Sequence, residues 1–415
     1  MRISLLKLSL VALAAALLVA AQKRAPAEKL TGGNGTLYLG VFRDRILIID
    51  ESTEKVTGEM RTRTGIPRRM SLGQDRKRFY VLSADQEDME VVDIASRQVI
   101  DTFKLSEGGK KIRIRSFEPD PLNRYIILLT ESYTKLADRF EVGAPTLLQY
   151  DLKEHKVLRT IPWPKNEERE FANIRISPDG KLLYFFSEDV LIYDTAEFKQ
   201  VDKWELSRPI EEGFGRINFG SMDDINEEPG FFTGIFTVQD PVQNRRVMGV
   251  ARVNLSQKRV DFYTLGPAAW VSFALAPGRK RAYGLHNEIG RYEFWTFDLE
   301  NRKLHNKVEF AGRPRMALKT SSNGKLLYIY QAGNTIDLYD ANTYQYLRTI
   351  TLDGDMTTDL YVMPPPQLTH CLLTIERVIG HRDTESRRKL ATNFTNYTKT
   401  GWRSRTALHH GIHCL

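Results

Sequence analysis

One segment of the chain, residues 173–204, constrains the fold more than any other. Its four strand-like runs are NIRIS, LLYFF, VLIYD and QVDKW, and a Pro-Asp-Gly turn at Pro178 separates the first two. Short runs of β-branched, aromatic and aliphatic residues between tight turns are typical of antiparallel hairpins and lack the spacing of a helix. The segment therefore predicts a sheet of four antiparallel strands.

The third strand of this segment, with the acidic or amide residue that ends it, recurs along the chain. The seven closing residues are Asp50, Asp93, Asp151, Asp194, Asn254, Asp298 and Asp340. They lie 43, 58, 43, 60, 44 and 42 residues apart, and the two long intervals hold insertions in units three and five. A period in the forties with four strands per repeat is the signature of propeller blades. We therefore predict an all-β fold, a seven-bladed β-propeller with four-stranded antiparallel blades.

The ends of the repeat region predict how the ring closes. Unit one begins at its second strand, TLYLGVF at 36–42, and has no first strand of its own. The run TTDLYVM at 357–363 follows unit seven and has the pattern of the missing strand. We predict that this C-terminal strand completes the first blade, which would leave no sheet edge exposed. The predicted propeller spans 35–366.

The N-terminal residues differ from the repeats. Residues 1–21 place Arg2 and Lys7 before an apolar stretch, which predicts a signal peptide followed by a linker at 22–34. An uncleaved membrane anchor is the alternative, although the apolar stretch is short for a bilayer span. We expect a secreted or periplasmic protein with no membrane span after signal cleavage.

The C-terminal residues also differ. Residues 367–415 contain both cysteines and lack the rhythm of strands and turns, which predicts a basic, poorly ordered tail. The alternative is a metal site that would use His409, His410, His413 and Cys414, with His370 and Cys371 as further candidates. Because both cysteines lie in this tail, we expect the propeller itself to fold without disulfides.

The net charge of +8 does not indicate a nucleic-acid partner. Arg2 and Lys7 lie in the leader, and residues 367–415 contain eight Lys or Arg against three Asp or Glu. The body between these ends is close to neutral, so we expect no nucleic-acid partner. The aspartates that close the third strands are spread around the ring, and we predict that each accepts hydrogen bonds from the turn that follows it.

The first strand of each unit lines the central channel of a propeller, where only alternate residues face the axis. Aligning these strands places small, polar and cationic side chains on the channel side, with Ala274 among the small ones. The candidate ligand-binding residues are Arg69, Arg113, Arg115, Asn173, Arg175, Arg216, Asn218, Lys319, Asp359 and Tyr361. Several guanidinium groups around one funnel suit a carboxylate or phosphate ligand. The alternative is a solvated channel whose arginines pair with water and nearby carboxylates.

Signals for metal binding and catalysis are sparse. Asp224, Asn226 and Glu228 alternate before Gly230 as a weak calcium-loop candidate, but the distal glutamate of such loops is missing. A solvated acidic turn is the alternative. The sequence contains no G-x-S-x-G elbow, phosphate-binding glycine loop or H-E-x-x-H motif. We expect no catalytic residue and no cofactor.

The unit ISPDGKLLYFFSEDVLIYDTAEFKQVDKW resembles the blades of bacterial exported propellers of the YVTN-repeat type. That group is similar in fold to the β-chain of quinohaemoprotein amine dehydrogenase. The similarity covers residues 35–366, although the YVTN tetrapeptide itself is replaced by runs such as LYLG and LYFF. It implies a WD40-like propeller and export, and it transfers no catalytic residue because the matching positions are strand and turn positions.

Two functions remain open. The first is a non-catalytic exported propeller that binds a protein partner or a small anionic ligand through the loops of blades 3–5 and the cationic channel. Its basis is the pair of insertions at 131–145 and 238–247, since long loops on a rigid scaffold tend to carry function. Such a protein would be a monomer or a subunit of a complex. The second is an enzyme or enzyme subunit, either a metal-dependent lactonase-like hydrolase or the propeller chain of a quinoprotein or amine dehydrogenase-like complex.

Overall fold

The computed structural model describes residues 29–365, except 188, 207–216, 224, 241, 243 and 332. These residues form seven antiparallel sheets, and their one helix is a single 3-10 turn at Pro164–Asn166. The architecture is the predicted all-β seven-bladed propeller. The predicted signal peptide, most of the linker and nearly all of the predicted tail lie outside the described residues and stay predictions.

Blades 1 to 3 are built from the two ends and the first third of the chain. Blade 1 contains β1 (Thr36–Val41), β2 (Arg45–Asp50), β3 (Lys55–Arg61) and, from the far end of the chain, β29 (Tyr361–Met363). Blade 2 contains β4 (Pro67–Leu72), β5 (Arg78–Ser83), β6 (Asp88–Asp93) and β7 (Gln98–Lys104). Blade 3 contains β8 (Lys110–Pro119), β9 (Tyr125–Lys135), β10 (Phe140–Val142), β11 (Thr146–Asp151) and β12 (Lys156–Ile161).

Blades 4 to 7 follow in chain order. Blade 4 contains β13 (Asn173–Ile176), β14 (Leu182–Phe186), β15 (Val190–Asp194) and β16 (Gln200–Trp204). Blade 5 contains β17 (Ile217–Asp223), β18 (Phe231–Asp240), β19 (Arg245–Asn254) and β20 (Arg259–Pro267). Blade 6 contains β21 (Ala274–Leu275), β22 (Arg281–Glu288), β23 (Arg291–Asp298) and β24 (Lys303–Glu309). Blade 7 contains β25 (Ala317–Thr320), β26 (Leu326–Tyr330), β27 (Thr335–Asp340) and β28 (Tyr346–Thr351).

The C-terminal strand closes the ring as the sequence predicts. Strand β29 pairs antiparallel with β1, with Tyr361 opposite Tyr38 and Met363 opposite Thr36. The strand is shorter than the predicted 357–363 because the pairing shifts register before it, where Met356 forms an isolated bridge with Val41. There the backbone N–H of Gly40 donates to Thr358 Oγ1 at 2.8 Å. The first blade is therefore assembled from both ends of the propeller.

Each blade buries its faces against its neighbours, so the core consists of apolar layers between blades. The layer between blades 3 and 4, for example, contains the buried side chains of Ile127, Leu183 and Phe185. The layer between blades 7 and 1 contains Leu37, Leu338 and Val362. Full burial of such side chains contributes about 1.5–3 kcal/mol each. This explains how the ring is held without a disulfide among the described residues.

The residue that ends each third strand has the turn role predicted for it. All seven side chains accept a hydrogen bond from the backbone N–H three residues later, at 2.6–3.1 Å. In blade 4, for example, Asp194 accepts from Glu197 N–H at 2.6 Å. This backbone hydrogen bond is the largest effect on Asp194 and lowers the pKa of its carboxyl group.

A polar network reinforces the junction between blades 7 and 1. The buried Glu51 carboxylate accepts hydrogen bonds from the backbone N–H groups of Gly35 and Ser322, both at 2.9 Å, and from Tyr328 O–H at 2.8 Å. Beside it, Arg348 Nε donates to Glu54 Oε2 at 2.7 Å. Charged groups that are buried need such partners, because an unpaired buried charge is costly.

The connections between strands divide the propeller into two faces. The loop face carries the connections between the second and third strands of each blade and the connections between blades. The turn face carries the other connections, including the tight turn at Ser177–Gly180, where Ser177 Oγ accepts from Leu182 N–H at 2.9 Å. Gly180 adopts φ +69° in this turn, a conformation that favours glycine.

Blades 3 and 6 depart from the regular four-strand pattern. In blade 3, β8 and β9 are extended and β10 adds a fifth strand beside the outer part of β9. The insertion at 131–145 is therefore a projecting piece of sheet rather than an irregular loop. In blade 6, the inner strand β21 is only two residues long.

Candidate functional site

The inner strands place the predicted channel residues around the axis. The residues that alternate with these positions on the inner strands are mostly buried between blades, among them Met70, Ile174, Ile176, Ile217, Phe273, Leu275, Leu318, Leu360 and Val362. Ala274, expected on the channel side, is instead buried in the layer between blades 6 and 7. The reason is that the second face of an inner strand also meets the following blade, so only part of that face borders the channel.

Arg175 joins three blades at the channel wall. Its Nη1 lies 3.4 Å from Glu118 Oε2 on β8, and its guanidinium carbon lies 5.7 Å from the ring centre of Phe232 on β18. Nη1 also donates to the carbonyl of Ile174 at 3.0 Å. A carboxylate of the preceding blade therefore balances much of the charge of this predicted anion-binding residue.

Arg115 is balanced by a carboxylate in the same way. The register between β8 and β9 shifts between Ile114 and Ser116, which places Arg115 at a bulge. Its Nε donates to Glu131 Oε2 at 2.9 Å, and its Nη2 donates to Tyr133 Oη at 2.6 Å. Hydrogen bonds from Tyr133 and Arg115, in that order, lower the pKa of Glu131, so this carboxylate is ionised at neutral pH.

Arg69, Arg113 and Lys319 form a different group. Arg69 stacks on Phe117 with 5.4 Å between its guanidinium carbon and the ring centre, and Arg113 stacks on Tyr133 at 4.9 Å. None of the three forms a salt bridge with another residue in the described part of the chain. Stacking on an aromatic ring holds a guanidinium group in place while its N–H groups stay available. Anion binding by these three residues stays a prediction.

Asp359 and Tyr361, near the C-terminal strand, make protein contacts. Asp359 accepts a hydrogen bond from Gln331 Nε2 at 2.6 Å. Tyr361 O–H donates to the carbonyl of Met70 at 2.6 Å, and its ring contacts Phe79 with 5.4 Å between centroids. Tyr361 therefore connects blade 1 to blade 2. This role is structural and does not require a ligand.

The remaining predicted channel residues are dispersed. Asn173 lies at the start of β13 and borders a small cleft of about 30 Å³ with Trp163 and Phe171. Asn218 lies on β17 and borders a larger cavity described below. Arg216 lies outside the described residues. The structure thus does not bring the predicted residues together at one point.

The weak calcium-loop candidate lies on the turn face of blade 5. Asp224 is outside the described residues, so the set as a whole stays a prediction. Asn226 Nδ2 donates to the carbonyl of Leu275 at 2.8 Å, and Glu228 pairs with Arg279 at 2.8 Å. Across the described residues, no group of three or more His, Cys, Asp or Glu side chains is placed to hold a metal ion.

A cavity of about 940 Å³ lies between blades 5 and 6 on the loop face. Buried apolar side chains, among them Ile235, Leu285 and Met316, form part of its wall. Arg246 and the exposed Trp270 also line it. Its volume falls at the upper end of the range of about 300–1,000 Å³ that is typical of ligand pockets.

The exposed large apolar side chains of the connections concentrate on the loop face. Among the described residues these loop-face side chains are Phe42, Phe140, Val142, Phe171, Val242, Trp270 and Ile289, which are 48–97% exposed. In the described part of the turn-face connections there is one such residue, Leu122. The others lie on outer strands at the perimeter, as do Ile100 and Val201. The two faces of the propeller therefore differ chemically.

Sequence reasoning missed several of these residues. Glu118 and Glu131 balance predicted channel cations, and the alternation in KIRIRSFEP offered a signal for Glu118. Trp270 and Ile289 lie in short connections, whereas the prediction of a binding surface used only the long insertions. A large apolar residue within a predicted connection was the signal for an exposed apolar side chain at these positions.

The comparisons with known proteins agree with the fold. No protein-family model and no curated protein sequence matches this chain. A functionally unknown protein from Desulfotomaculum acetoxidans has a similar structure, with a TM-score of 0.50 and 12% sequence identity over 80% of this chain and 100% of that chain. Dihydro-heme d1 dehydrogenase NirN in complex with DHE gives a TM-score of 0.49 and 10% identity over 82% of this chain and 78% of that chain.

Hydrazine synthase of Kuenenia stuttgartiensis gives a TM-score of 0.42 and 16% identity over 75% of this chain and 90% of that chain. At these identities a structural likeness concerns the fold alone. The seven sheets of the chain themselves define the class of the protein as a seven-bladed β-propeller. In the described part of the chain, no helix is long and apolar enough to span a membrane.

Proposed function

We propose that this protein is a non-catalytic exported propeller that binds a protein partner on its loop face. The observation that carries the proposal is the concentration of exposed apolar side chains on that face, whereas the described connections of the opposite face contain one. Exposed apolar groups gathered on one surface and surrounded by polar residues are a mark of protein-interaction sites.

The rigid framework supports this role. The connection that carries Ile289 joins β22 and β23, whose side chains are mostly buried. The connection that carries Phe171 leads into β13, where Ile174 and Ile176 are buried between blades. The backbone of connections anchored in this way loses little conformational freedom on binding, which reduces the entropic cost of association. Aromatic side chains are enriched among the residues that contribute most to protein interfaces. The sector formed by blades 3 to 6 therefore has the properties of a docking surface.

The channel cations complement this apolar surface. Arg69 and Arg113 present guanidinium groups that aromatic rings hold in place. They would meet acidic groups of the partner, or a small anion at the channel mouth. Charge complementarity of this kind favours the correct partner and speeds its association.

The test is capture of the partner from the native host by the full chain and by a loop-face variant. The variant combines Phe140→Ser, Phe171→Ser and Ile289→Ser. These side chains are exposed, so the variant should keep the wild-type unfolding temperature while it loses a stoichiometric partner. Removing several anchor side chains, at about 1–2 kcal/mol each, should weaken binding by at least about a hundredfold.

A matched control replaces apolar side chains of the perimeter, Val56→Ser, Ile100→Ser and Val201→Ser. They have 49%, 53% and 57% exposure and lie on outer strands. The control should bind the partner as the wild type does. Equal binding by the loop-face variant and the wild type, or an equal loss in both variants, would contradict the proposal.

The enzymatic alternative has no observation in its favour among the described residues. It still has a direct test, because a metal-dependent hydrolase would hold a metal ion at the channel. Stoichiometric calcium, zinc or iron in the purified protein would support the alternative against the binding function.

A further inference from the structure

We propose that the cavity between blades 5 and 6 binds a small organic carboxylate with an aromatic or aliphatic body. The site is a second function and does not rest on docking of a protein partner. Three features support it: the position and lining of the cavity, the fixed loop at its rim, and a cation that has no carboxylate partner in the described part of the chain.

The cavity lies between the inner side of blade 6 and strands β17 and β18 of blade 5. Strand β21 pairs with β22 over two residues. The chain before it continues beside β22 in the same register, through a bridge between Val271 and His286. The cavity therefore opens between this segment and the side chains of Asn218 and Ile235 in blade 5.

Backbone contacts hold the loop at the cavity rim in place. Ala268 N–H donates to the carbonyl of Arg246 at 2.9 Å, and Ser272 N–H donates to the carbonyl of Leu285 at 3.1 Å. The buried His286 places Nδ1 at 2.9 Å from the carbonyl of Trp270. Gly284 lets the loop approach, because a Cβ there would lie 2.4 Å from Val271 Cγ1. The indole of Trp270 is nevertheless 85% exposed, so a rigid backbone carries an aromatic side chain that is free to cover a ligand.

Arg246 supplies the charge of the site. Its Nη2 donates to Thr237 Oγ1 at 2.9 Å, which orients the guanidinium group at the open side of the cavity. Its neighbour Arg245 lies near Asp240, whereas Arg246 forms no salt bridge within the described residues. The described lining of the cavity contains no carboxylate. A guanidinium group binds a carboxylate through two parallel hydrogen bonds, so a single carboxylate is the matching ligand group.

The rest of the wall defines the body of the ligand. Ile235, Leu285 and Met316 are buried and offer an apolar floor. The side chains of Ser272 and Asn287 add polar groups along the wall. A cavity with an apolar floor, a few polar groups and one cation selects a compact molecule with an aromatic or aliphatic body and one acidic group.

The experiment titrates the full chain with naphthoate and with its neutral analogue naphthamide in a calorimeter. Naphthoate should bind saturably and one-to-one, and naphthamide about tenfold more weakly because it lacks the charge-assisted hydrogen bonds. Arg246→Gln should weaken naphthoate about tenfold and leave naphthamide unchanged. Trp270→Ala should weaken both ligands.

Arg245→Gln is the matched control, because it removes the same charge from the adjacent residue, whose side chain points to the other side of the strand. It should leave naphthoate affinity within about twofold, as expected for a screened surface charge. Absence of saturable naphthoate binding would overturn the proposal. Equal affinity for acid and amide, or equal effects of the Arg246 and Arg245 substitutions, would overturn it as well. None of these results depends on the loop-face partner, so the two proposals fail independently.

Discussion

Most of the carboxylates described above accept hydrogen bonds from backbone N–H groups of turns or pair with cations of neighbouring blades. The residues that end the third strands accept hydrogen bonds from the following turn in every blade. The sequence predicted this role because the donor lies three residues away in the same turn. Partners that lie near in sequence can be inferred from sequence.

The partners of the channel cations could not be inferred in this way. Glu118 meets Arg175 from a different blade, 57 residues away along the chain. Arg115 sits at a bulge, which changes the side of the strand on which a residue lies. The sequence therefore predicted a cationic channel but not which cations are balanced.

One ion pair at the ring junction predicts a pH dependence of stability. Burial favours a raised pKa for Glu54, but hydrogen bonds from Arg348 and Lys29 outweigh it and lower the pKa. A carboxyl group with a lowered pKa in the folded state binds protons less readily there than in the unfolded chain. Its stabilisation is therefore present above the ordinary glutamate pKa of about 4.3 and is lost as the pH falls through the folded-state value.

The variant Glu54→Gln should be less stable than the wild type by about 1 kcal/mol at pH about 7, since the pair is only partly buried. This difference should shrink towards zero as the pH falls to about 3. Thermal unfolding across this pH range measures it. Glu154→Gln, at an exposed position, should show no difference at either pH. A difference for Glu54→Gln that is constant with pH would contradict the role of this ion pair.

Among the structural elements, the C-terminal strand has the largest consequence. Strand β29 is only three residues long, yet Leu360 and Val362 beside and within it are buried in the layer between blades 7 and 1. The missing first strand of unit one was visible in the sequence, and closure by a later strand followed from the need to leave no sheet edge open. The element-level prediction succeeded because the repeat fixed the register.

A chain that ends at residue 352 should lose this closure. This chain would expose the edge of β1 and would lack the buried side chains of Leu360 and Val362. Their absence should lower the free energy of unfolding by roughly 3–6 kcal/mol, at about 1.5–3 kcal/mol per buried side chain. Circular dichroism during heating should therefore show a much lower unfolding temperature for the whole propeller.

A chain that ends at residue 366 is the control, because it keeps β29 and removes only the predicted tail. It should unfold near the temperature of the full chain. Unfolding of the shorter chain at the same temperature as the control would show that the ring does not depend on its C-terminal strand.

Two elements were not foreseen. The insertion of blade 3 extends β9 and adds β10, although its sequence contains polar and charged residues that suggested a loop. The inner strand of blade 6 is shorter than its pattern indicated. The added strand β10 depends on pairing with the extended β9, which is a property of the tertiary structure. In blade 6 the chain before β21 still contacts β22, through the bridge between Val271 and His286, without continuous pairing.

At the scale of the whole molecule, the propeller has two unequal faces. The turn face is formed by tight connections with hydrogen-bonded aspartates and serines. The loop face carries the exposed apolar side chains, the projecting sheet of blade 3 and the cavity between blades 5 and 6. This division would let one rigid ring present a docking surface and a small-molecule pocket on the same side.

Hydrogen–deuterium exchange on the complex with the co-purified partner locates the binding surface. Binding should slow exchange in the loop-face connections of blades 3 to 6, including the segments around Phe171 and Ile289. Exchange in the turn-face segments, such as Ser177–Gly180, should not change. Protection confined to the turn face or to the outer strands would contradict the assignment of the loop face as the binding surface.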